Sequence, residues 1–500
     1  MKNKTKQASR RQVLSWLAGT GLSWGLTPHQ SMIKLSFAQT GELPKFLIVI
    51  GCSGGASIID GALAQRSSEV NRNDLNSFPD MSVYSPPNSE LRATRVEVDG
   101  LGSVPYRGVF DQKDFLDRYH NEMAVMTYTG TSVNHGIAQK RAITGNEAWG
   151  GRTIQEAVAN QFGAQHPLPN INMAVGGYAE AGHDPSLPSY ASAELISSPL
   201  LWPLGLHGSL GLSSEGEPAL PSSVIAKARR WRNEQLDQDS KFMETFADDP
   251  SLKRWLEHRN QLMPEFESQN LINRLNFVPD SPVTPLGNYG LSNAEDFDVI
   301  RATFTNTLTD PLEAQAALAY LLITQGISVT VTISPDFSPL IGRNANQVVD
   351  SPPLAFDFSH QAHRAGQALM WSRLYNISDK LIRLLKGREL MSGTSYWDRS
   401  MIYFASEFGR TRHRPANANE FGSGHDLNNG ALLISPMIRG GRVYGGVDPD
   451  TTLTYGFDPV TGNPEPGRVM SEAEMFSAIA HALNLDVSGI GLPSVTALRS

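Results

Sequence analysis

The chain has 500 residues, of which 40% are hydrophobic and 18% charged, a composition typical of a folded globular protein rather than a disordered one. Its 42 basic residues against 50 acidic residues give a formal net charge of −8. This negative charge argues against nucleic acid or anionic lipid as a partner, whereas a metal ion remains compatible.

The first 38 residues resemble an export signal. Residues 1–13 carry several basic side chains and no acid, and residues 14–26 form an apolar run too short to span a bilayer. Residues 9–14, with Arg10 and Arg11, are similar to the twin-arginine consensus, and Ala38 ends a stretch of small residues suited to cleavage. We therefore expect export through the twin-arginine translocation machinery to a periplasmic or extracellular location. An uncleaved, membrane-held leader is the alternative.

Cysteine usage agrees with folding before export. Cys52 is the single cysteine of the chain, so no internal disulfide can form. It follows an apolar run, which favours a buried structural thiol over a nucleophile.

The first half of the mature chain begins with strand signals and ends in a region that is hard to interpret. Residues 45–50 and 123–128 are apolar runs typical of buried parallel strands. The glycine-rich segment 51–55 predicts a tight turn into a helix, and a further helix is expected over 153–162. Residues 178–300 hold proline-rich loops and a charged helical stretch, and we interpret them as an insertion or cap.

After residue 300 the sequence again predicts a regular alternation of helices and strands. Asp310 and Pro311 predict a helix start with an Asp N-cap, followed by a helix over 312–324 and a strand over 327–333. A long helix is expected over 361–385, and strands over 400–405 and 431–434. The last helix opens with a capping box at 471–474. This alternation predicts one α/β domain over 39–500, with a mainly parallel sheet sandwiched by helices.

Polar side chains follow the predicted strands, where α/β sheets place their ligands. The candidates are Ser57, His135, Asp357, His360, Glu407, Arg410, His425 and Asp426. Carboxylates and imidazoles suit divalent zinc, manganese, magnesium or calcium.

The glycine-rich segment 51–55 lacks the Lys-Ser/Thr ending of a phosphate-binding loop, so no nucleotide cofactor is predicted.

Each candidate also has a purely structural interpretation. Asp357 could cap the helix over 361–385, and His360 and His363 could face solvent in its first turn. Glu407 and Arg410 could form an ion pair, and His135 could hold a turn. His425 and Asp426 lie in a glycine-rich loop and are the hardest to explain by structure alone.

Several motifs together resemble one known group. They are residues 54–60, 134–139, 144–145, 356–360, 406–411, the His425 loop and 438–443. On these motifs the chain looks like the exported bacterial family called domain of unknown function 1501 (DUF1501), which is similar to the alkaline phosphatase and sulfatase superfamily. The resemblance implies an alkaline-phosphatase-like fold and covers most of the mature chain.

The resemblance also implies roles for the candidate residues. Asp357, His360, His425 and Asp426 would bind a divalent metal in a hydrolase of small phosphate or sulfate esters. Ser57 would be the nucleophile or position an anion, Arg410 would neutralise the substrate, and Glu407 and His135 would orient ligands or water.

The chain departs from the family pattern in ways that favour one metal over two. The segment 357–360 is one residue longer than the family motif, and His425-Asp426 has swapped order. Gly51 and Cys52 stand where the superfamily has a metal-binding Asp. A non-catalytic exported protein that binds or assembles through a degenerate site is therefore the alternative.

Overall fold

A computed structural model of the chain describes residues 43–94, 110–205, 222–236, 239–249, 252–253, 256, 271–282, 284–289, 291–335 and 355–500. The predicted leader, residues 1–38, lies outside the described residues. Within them, no helix combines the length and apolar character needed to cross a membrane.

The architecture is α/β, built around a mixed and mostly parallel sheet that has eight strands among the described residues. The strands are β1 (Phe46–Cys52), β2 (Met123–Thr129), β3 (Asn170–Asn172), β4 (Glu194–Leu195), β5 (Thr330–Ile333), β6 (Ser400–Ser406), β7 (Asn428–Ile434) and β8 (Arg442–Tyr444). Their spatial order is β8-β2-β7-β6-β1-β5-β3-β4. β7 pairs antiparallel with β6 and β2, and the other neighbours pair parallel.

Strand β1 lies inside the sheet and has two parallel neighbours. Ile48 pairs with Ile402 on one side and with Val331 on the other, and every residue of the strand is buried. Its end, Cys52, pairs with Ser406, so the segments that follow β1 and β6 leave the sheet at the same edge. The sheet thereby brings residues 53–60 and 407–410 together.

Helices cover both faces of this sheet. The hydroxyl of Tyr403 donates to the carbonyl of Ala142, whereas the ring of Phe404 packs 5.9 Å from that of Trp371. Neighbouring side chains of a strand point to opposite faces, so the helices that carry Ala142 and Trp371 lie on opposite sides. The predicted sandwich is confirmed at this level.

Helices begin within two residues of the predicted starts at 153, 310–312, 361 and 471, and the structure adds helices that the sequence did not predict. The helices of the described residues are α1 (Gln112–Tyr119), α2 (His135–Thr144), α3 (Ile154–Phe162), α4 (Trp202–Gly205), α5 (Ser222–Trp231), α6 (Lys241–Phe246), α7 (Leu271–Leu275), α8 (Phe297–Thr303), α9 (Pro311–Thr324), α10 (His363–Gly387) and α11 (Glu472–Ala482). Asp310 caps α9 by accepting from the N–H of Leu312, and Ser471 opens α11 with a capping box.

Shorter elements connect these parts. Small strands occur at Val83–Tyr84, Ala93–Thr94, Glu389–Met391, Thr394–Ser395, Gly409–Arg410, His425–Asp426, Gly446–Val447, Thr454–Phe457 and Pro464–Glu465. Single 3-10 turns lie at Ser67–Glu69, Asp80–Ser82, His120–Glu122, Gly176–Ala179, Ser189–Ala191, Leu286–Tyr289, Phe356–His360 and Trp397–Arg399, and a π-helical turn lies at Arg232–Leu236.

Three details differ from the sequence predictions. Residues 58–62 form turns and no helix, so the helix expected after the 51–55 turn is wrong and Ser57 is not at a helix N-terminus. Asp357 does not cap α10, because Ala362 occupies the N-cap position. The region 178–300 supplies the edge strand β4, which pairs with β3.

Candidate metal centre

Three histidines surround one carboxylate at the edge of the sheet. The Oδ1 atom of Asp357 lies 3.3 Å from Nε2 of His360, and 3.8 Å from Nε2 of both His135 and His425. The Nε2 atoms of His360 and His425 are 2.9 Å apart. These side chains are partly open to solvent, with exposed fractions between 20% and 44%.

These separations fit a bound ion. Two ligands of a tetrahedral zinc ion, each about 2.1 Å from the metal, lie roughly 3.4 Å from each other. The ligand atoms of His135, Asp357 and His425 all lie within 4.8 Å of one another, so this group could hold a metal ion. Nε2 of His360, 3.3 Å from Oδ1 of Asp357, is a fourth potential metal ligand. The coarse prediction of a divalent-metal site at this edge is therefore supported by geometry.

The second ring nitrogens fix the orientation of two histidines. Nδ1 of His135 lies 3.1 Å from Oε2 of Glu407, and Nδ1 of His425 lies 3.0 Å from the carbonyl oxygen of Val133. Both partners are acceptors, so each Nδ1 carries the hydrogen and, in the neutral ring, the Nε2 lone pair faces Asp357. Histidine ligands in metal sites are commonly held in this way.

The two anchored histidines differ in their affinity for protons. The hydrogen bond to Glu407 is the largest cause that raises the pKa of His135. Burial is the largest cause that lowers the pKa of His425, with the nearby Arg410 acting in the same direction. Burial also raises the pKa of the Glu407 carboxyl group, whose side chain is shielded from solvent.

The local elements explain why these side chains meet. His135 is the first residue of α2, where Asn134 is the N-cap. Asp357 and His360 lie three apart on the 3-10 turn Phe356–His360, so they share one side of it. His425 lies on a two-residue strand that pairs with Arg410.

Glycine at position 54 allows the segment after β1 to pack closely against the turn that carries Asp357. Gly54 has a φ of +91°, and a Cβ atom there would lie 2.1 Å from the backbone nitrogen of Asp357. Its N–H donates to Glu407, so the same residue supports the carboxylate that orients His135. A side chain at this position would separate the segment after β1 from the ligand-bearing turn.

Arg410 is buried and holds the ligand-bearing segments together. Its Nη2 donates to Oδ1 of Asp357 at 3.1 Å and to the carbonyl of Phe356 at 3.3 Å. Its other donors reach the carbonyls of Ser423 and Gly55, both at 3.3 Å. This position favours orientation of Asp357 over the substrate contact that the sequence predicts for Arg410.

Asp426 is turned away from the three histidines. Its carboxylate accepts from the N–H of Asn428 at 2.9 Å and lies 3.7 Å from Nη1 of Arg412. Adjacent residues of an extended strand face opposite sides, so His425 and Asp426 cannot both point at one ion. The predicted ligand pair is thus reduced to His425.

Ser57 occupies a buried position beside the long helix α10. Its N–H donates to Oε1 of Gln367 at 2.9 Å, and its carbonyl accepts from the indole of Trp371 at 3.1 Å. These backbone contacts lead to α10, and the Ser57 side chain is a hydrogen-bond partner of the buried Asp60 carboxylate.

Two parts of the site were not anticipated. His135 was predicted to orient water, whereas it presents Nε2 to Asp357 as the other ligands do. The ring of Phe408 stacks on His425 with centroids 4.0 Å apart, and the Val133 carbonyl holds the opposite nitrogen. The Asn-His pair at the start of α2 was the one sequence signal for His135, and a backbone carbonyl has none.

Comparison of the chain with models of known protein families finds no match. A search of curated proteins finds none either. The resemblance to the DUF1501 family and to the alkaline phosphatase superfamily therefore stays a prediction.

Proposed function

We propose that this chain is a divalent-metal-dependent hydrolase that acts on phosphate or sulfate esters after export through the twin-arginine pathway. The observation that carries the proposal is the convergence of Nε2 of His135 and His425 on Oδ1 of Asp357, with both Nδ1 atoms engaged. Such an arrangement matches metal-binding histidines, whose second nitrogen is held by an acceptor.

In this proposal, His135, Asp357 and His425 hold the ion, and His360 lies close enough to be a fourth ligand. A divalent ion supplies Lewis-acid chemistry, activating water and polarising an ester oxygen. Glu407 orients His135, and Arg410 fixes the carboxylate of Asp357. The partial exposure of the ligands leaves a small anionic ester a route to the ion.

Water is the proposed nucleophile. Ser57 is 6% exposed, its backbone contacts lie along α10, and its side chain hydrogen-bonds to the buried Asp60. A serine that attacks an ester must reach the reacting atom within hydrogen-bonding distance of the catalytic groups. We therefore propose that water attacks the ester directly, without the covalent serine intermediate that a Ser57 nucleophile would form.

Metal content of the purified mature protein tests the proposal, with two neighbouring residues as a matched pair. His425→Ala should lose bound zinc or manganese and all ester hydrolysis, because it removes a ligand. Asp426→Ala should keep both, because this carboxylate faces Arg412. Elemental analysis that finds no metal above background in the wild type would contradict the metal centre.

A non-catalytic binding role is the second candidate. It is favoured by the engagement of the Arg410 guanidinium with Asp357 and with several carbonyls, which leaves it little freedom to meet a substrate. Turnover of a panel of phosphate and sulfate esters with several divalent metals separates the two candidates. A protein that binds metal tightly but hydrolyses none of the esters would favour the binding role.

A further inference from the structure

A fourth histidine lies beside the three histidines of the candidate centre and takes no part in it. His363 is fully buried, with its Nε2 2.9 Å from Oδ2 of Asp60 and its Nδ1 2.7 Å from Oγ of Ser423. Asn76 donates to the same oxygen of Asp60 at 2.9 Å, and the ring of Phe421 stacks on the imidazole. We call these hydrogen-bonded groups the Asp60–His363–Ser423 chain.

A buried histidine with two partners is often only a satisfied core residue. This one differs because Ser423 also contacts the supports of the candidate ligands. The N–H and the hydroxyl of Ser423 both donate to the carbonyl of Ser359, at 2.8 Å and 3.2 Å, and the carbonyl of Ser423 accepts from Arg410 at 3.3 Å. Ser359 lies between Asp357 and His360, so Ser423 touches the ligand-bearing turn and the arginine that holds Asp357.

The loop that contains Ser423 also carries His425. The N–H of Thr411 donates to the carbonyl of Gly424 at 3.0 Å, which ties the loop to the segment after β6. A Cβ atom at Gly422 would lie 2.4 Å from the carbonyl oxygen of His360, so the loop backbone lies directly against the 3-10 turn. A displacement of this loop would therefore move His425 relative to His360.

We propose that the Asp60–His363–Ser423 chain positions the candidate metal centre by fixing the spacing between two ligand-bearing segments, residues 357–360 and 423–425. His363 holds the hydroxyl of Ser423, and this hydroxyl donates to the carbonyl of Ser359, so removal of either side chain breaks the connection. This inference rests on the proposed metal centre, but none of its three residues is a ligand. His363 and Ser423 are positioning residues, because they act through the segments that they hold.

Titration of the mature full-length protein with Co²⁺ tests this role. Ser423→Ala removes one hydroxyl, and His363→Gln removes the imidazole. Loss of a supporting partner typically weakens metal binding by about 10–100-fold. We expect both variants to bind Co²⁺ at least about tenfold more weakly, and their visible d–d absorption to report an altered coordination geometry.

His166→Gln is the matched control. His166 is another buried histidine, and its Nδ1 lies 2.9 Å from the carbonyl of Gly326. This variant should unfold at a lower temperature but keep the wild-type Co²⁺ affinity and spectrum. The contrast separates positioning from a general loss of core stability.

The possible outcomes distinguish the inference from the proposed function. Wild-type Co²⁺ affinity and spectrum in Ser423→Ala, with or without lowered stability, would overturn the positioning role and leave the metal centre intact. A wild-type protein that binds no Co²⁺ would overturn the metal centre and this inference with it. If His363→Gln does not fold, Ser423→Ala alone decides the result.

Discussion

His360 and His363 are three residues apart in the chain, yet they lie in opposite environments. The side chain of His360 is 44% exposed and meets Asp357 and His425 at the surface. The side chain of His363 is fully buried and lies between Asp60 and Ser423. The 3-10 turn ends at the first and helix α10 begins at the second, so the change of backbone geometry sends them in different directions.

Imidazoles near one centre can therefore have different roles. The exposed group (His135, His360 and His425) presents nitrogen atoms toward a shared carboxylate, which is suited to binding an ion from solvent. The buried Asp60–His363–Ser423 chain has its ring nitrogens occupied by protein groups, which is suited to holding backbone segments in place. Removal of the carboxylate shared by the exposed group should have the largest effect on this division.

The first prediction removes the centre of the exposed group. Asp357→Asn keeps an acceptor for Arg410 but loses the charge that the three histidines surround. We expect metal affinity to fall by more than the roughly 100-fold that loss of an outer partner costs, and hydrolysis to fall to background. Calorimetric titration with Zn²⁺ measures the first effect. Unchanged affinity would show that the ion, if bound, lies elsewhere.

The second prediction concerns the acid sensitivity of a buried histidine. Burial lowers the pKa of His166 to about 4, so the unfolded chain binds a proton there at a higher pH than the folded protein. Stability should therefore fall as pH decreases from about 6.5 to about 4, by up to roughly 3 kcal/mol from this group. Denaturant unfolding of metal-free protein across this range measures the loss. His166→Gln should make the dependence shallower, and an unchanged slope would contradict the assignment.

The third prediction compares two glycines near the centre. Gly54→Ala should destabilise the protein by at least about 2 kcal/mol, because position 54 has a positive φ and a Cβ there would meet the backbone of Asp357. Gly136→Ala is the control, since a Cβ at that helical position meets nothing within 4 Å. It should be neutral or slightly stabilising. Equal unfolding midpoints for the two variants would contradict the close packing at Gly54.

The fourth prediction concerns the proton affinity of one ligand. Glu407→Gln keeps an acceptor near His135 but removes the negative charge that raises its pKa. The pKa of His135 should therefore fall, and metal affinity should change by about tenfold or less. Histidine NMR titration of metal-free protein measures the shift. The pKa of His425 should rise slightly, because positive charge on His135 is one cause that lowers it. A fall in the pKa of both histidines would contradict this account.

The sequence was sufficient to predict the core of the fold because burial and capping leave local signals. The apolar runs at β1 and β6, the Asp310 cap and the capping box at Ser471 all lie where their patterns indicate. The helix expected after β1 was wrong, because residues 56–64 form turns and irregular segments that pack against β6 and α10. Those tertiary contacts, such as Trp371 with the Ser57 carbonyl, have no local signature.

The sequence predicted the types of residue in the candidate site, but not which of the candidate residues face it. Asp357, His360 and His425 converge as expected, whereas Asp426 faces Arg412 because a strand alternates its side chains. His135 became a ligand candidate only through its distance to Asp357. Which polar residues after a strand face inward depends on short strands and turns that the sequence does not distinguish.

The wide separation of the ligands along the chain has a consequence for unfolding. His135, Asp357 and His425 follow different strands, and one ion bound by all three would cross-link distant parts of the chain. Such a link restricts the denatured ensemble as a disulfide does, and the cost of closing a loop grows only slowly with its length. The single cysteine of the chain cannot form an internal disulfide, so the bound ion would be the cross-link between these distant segments. Chelation of the ion would then make the protein unfold faster, in addition to abolishing hydrolysis.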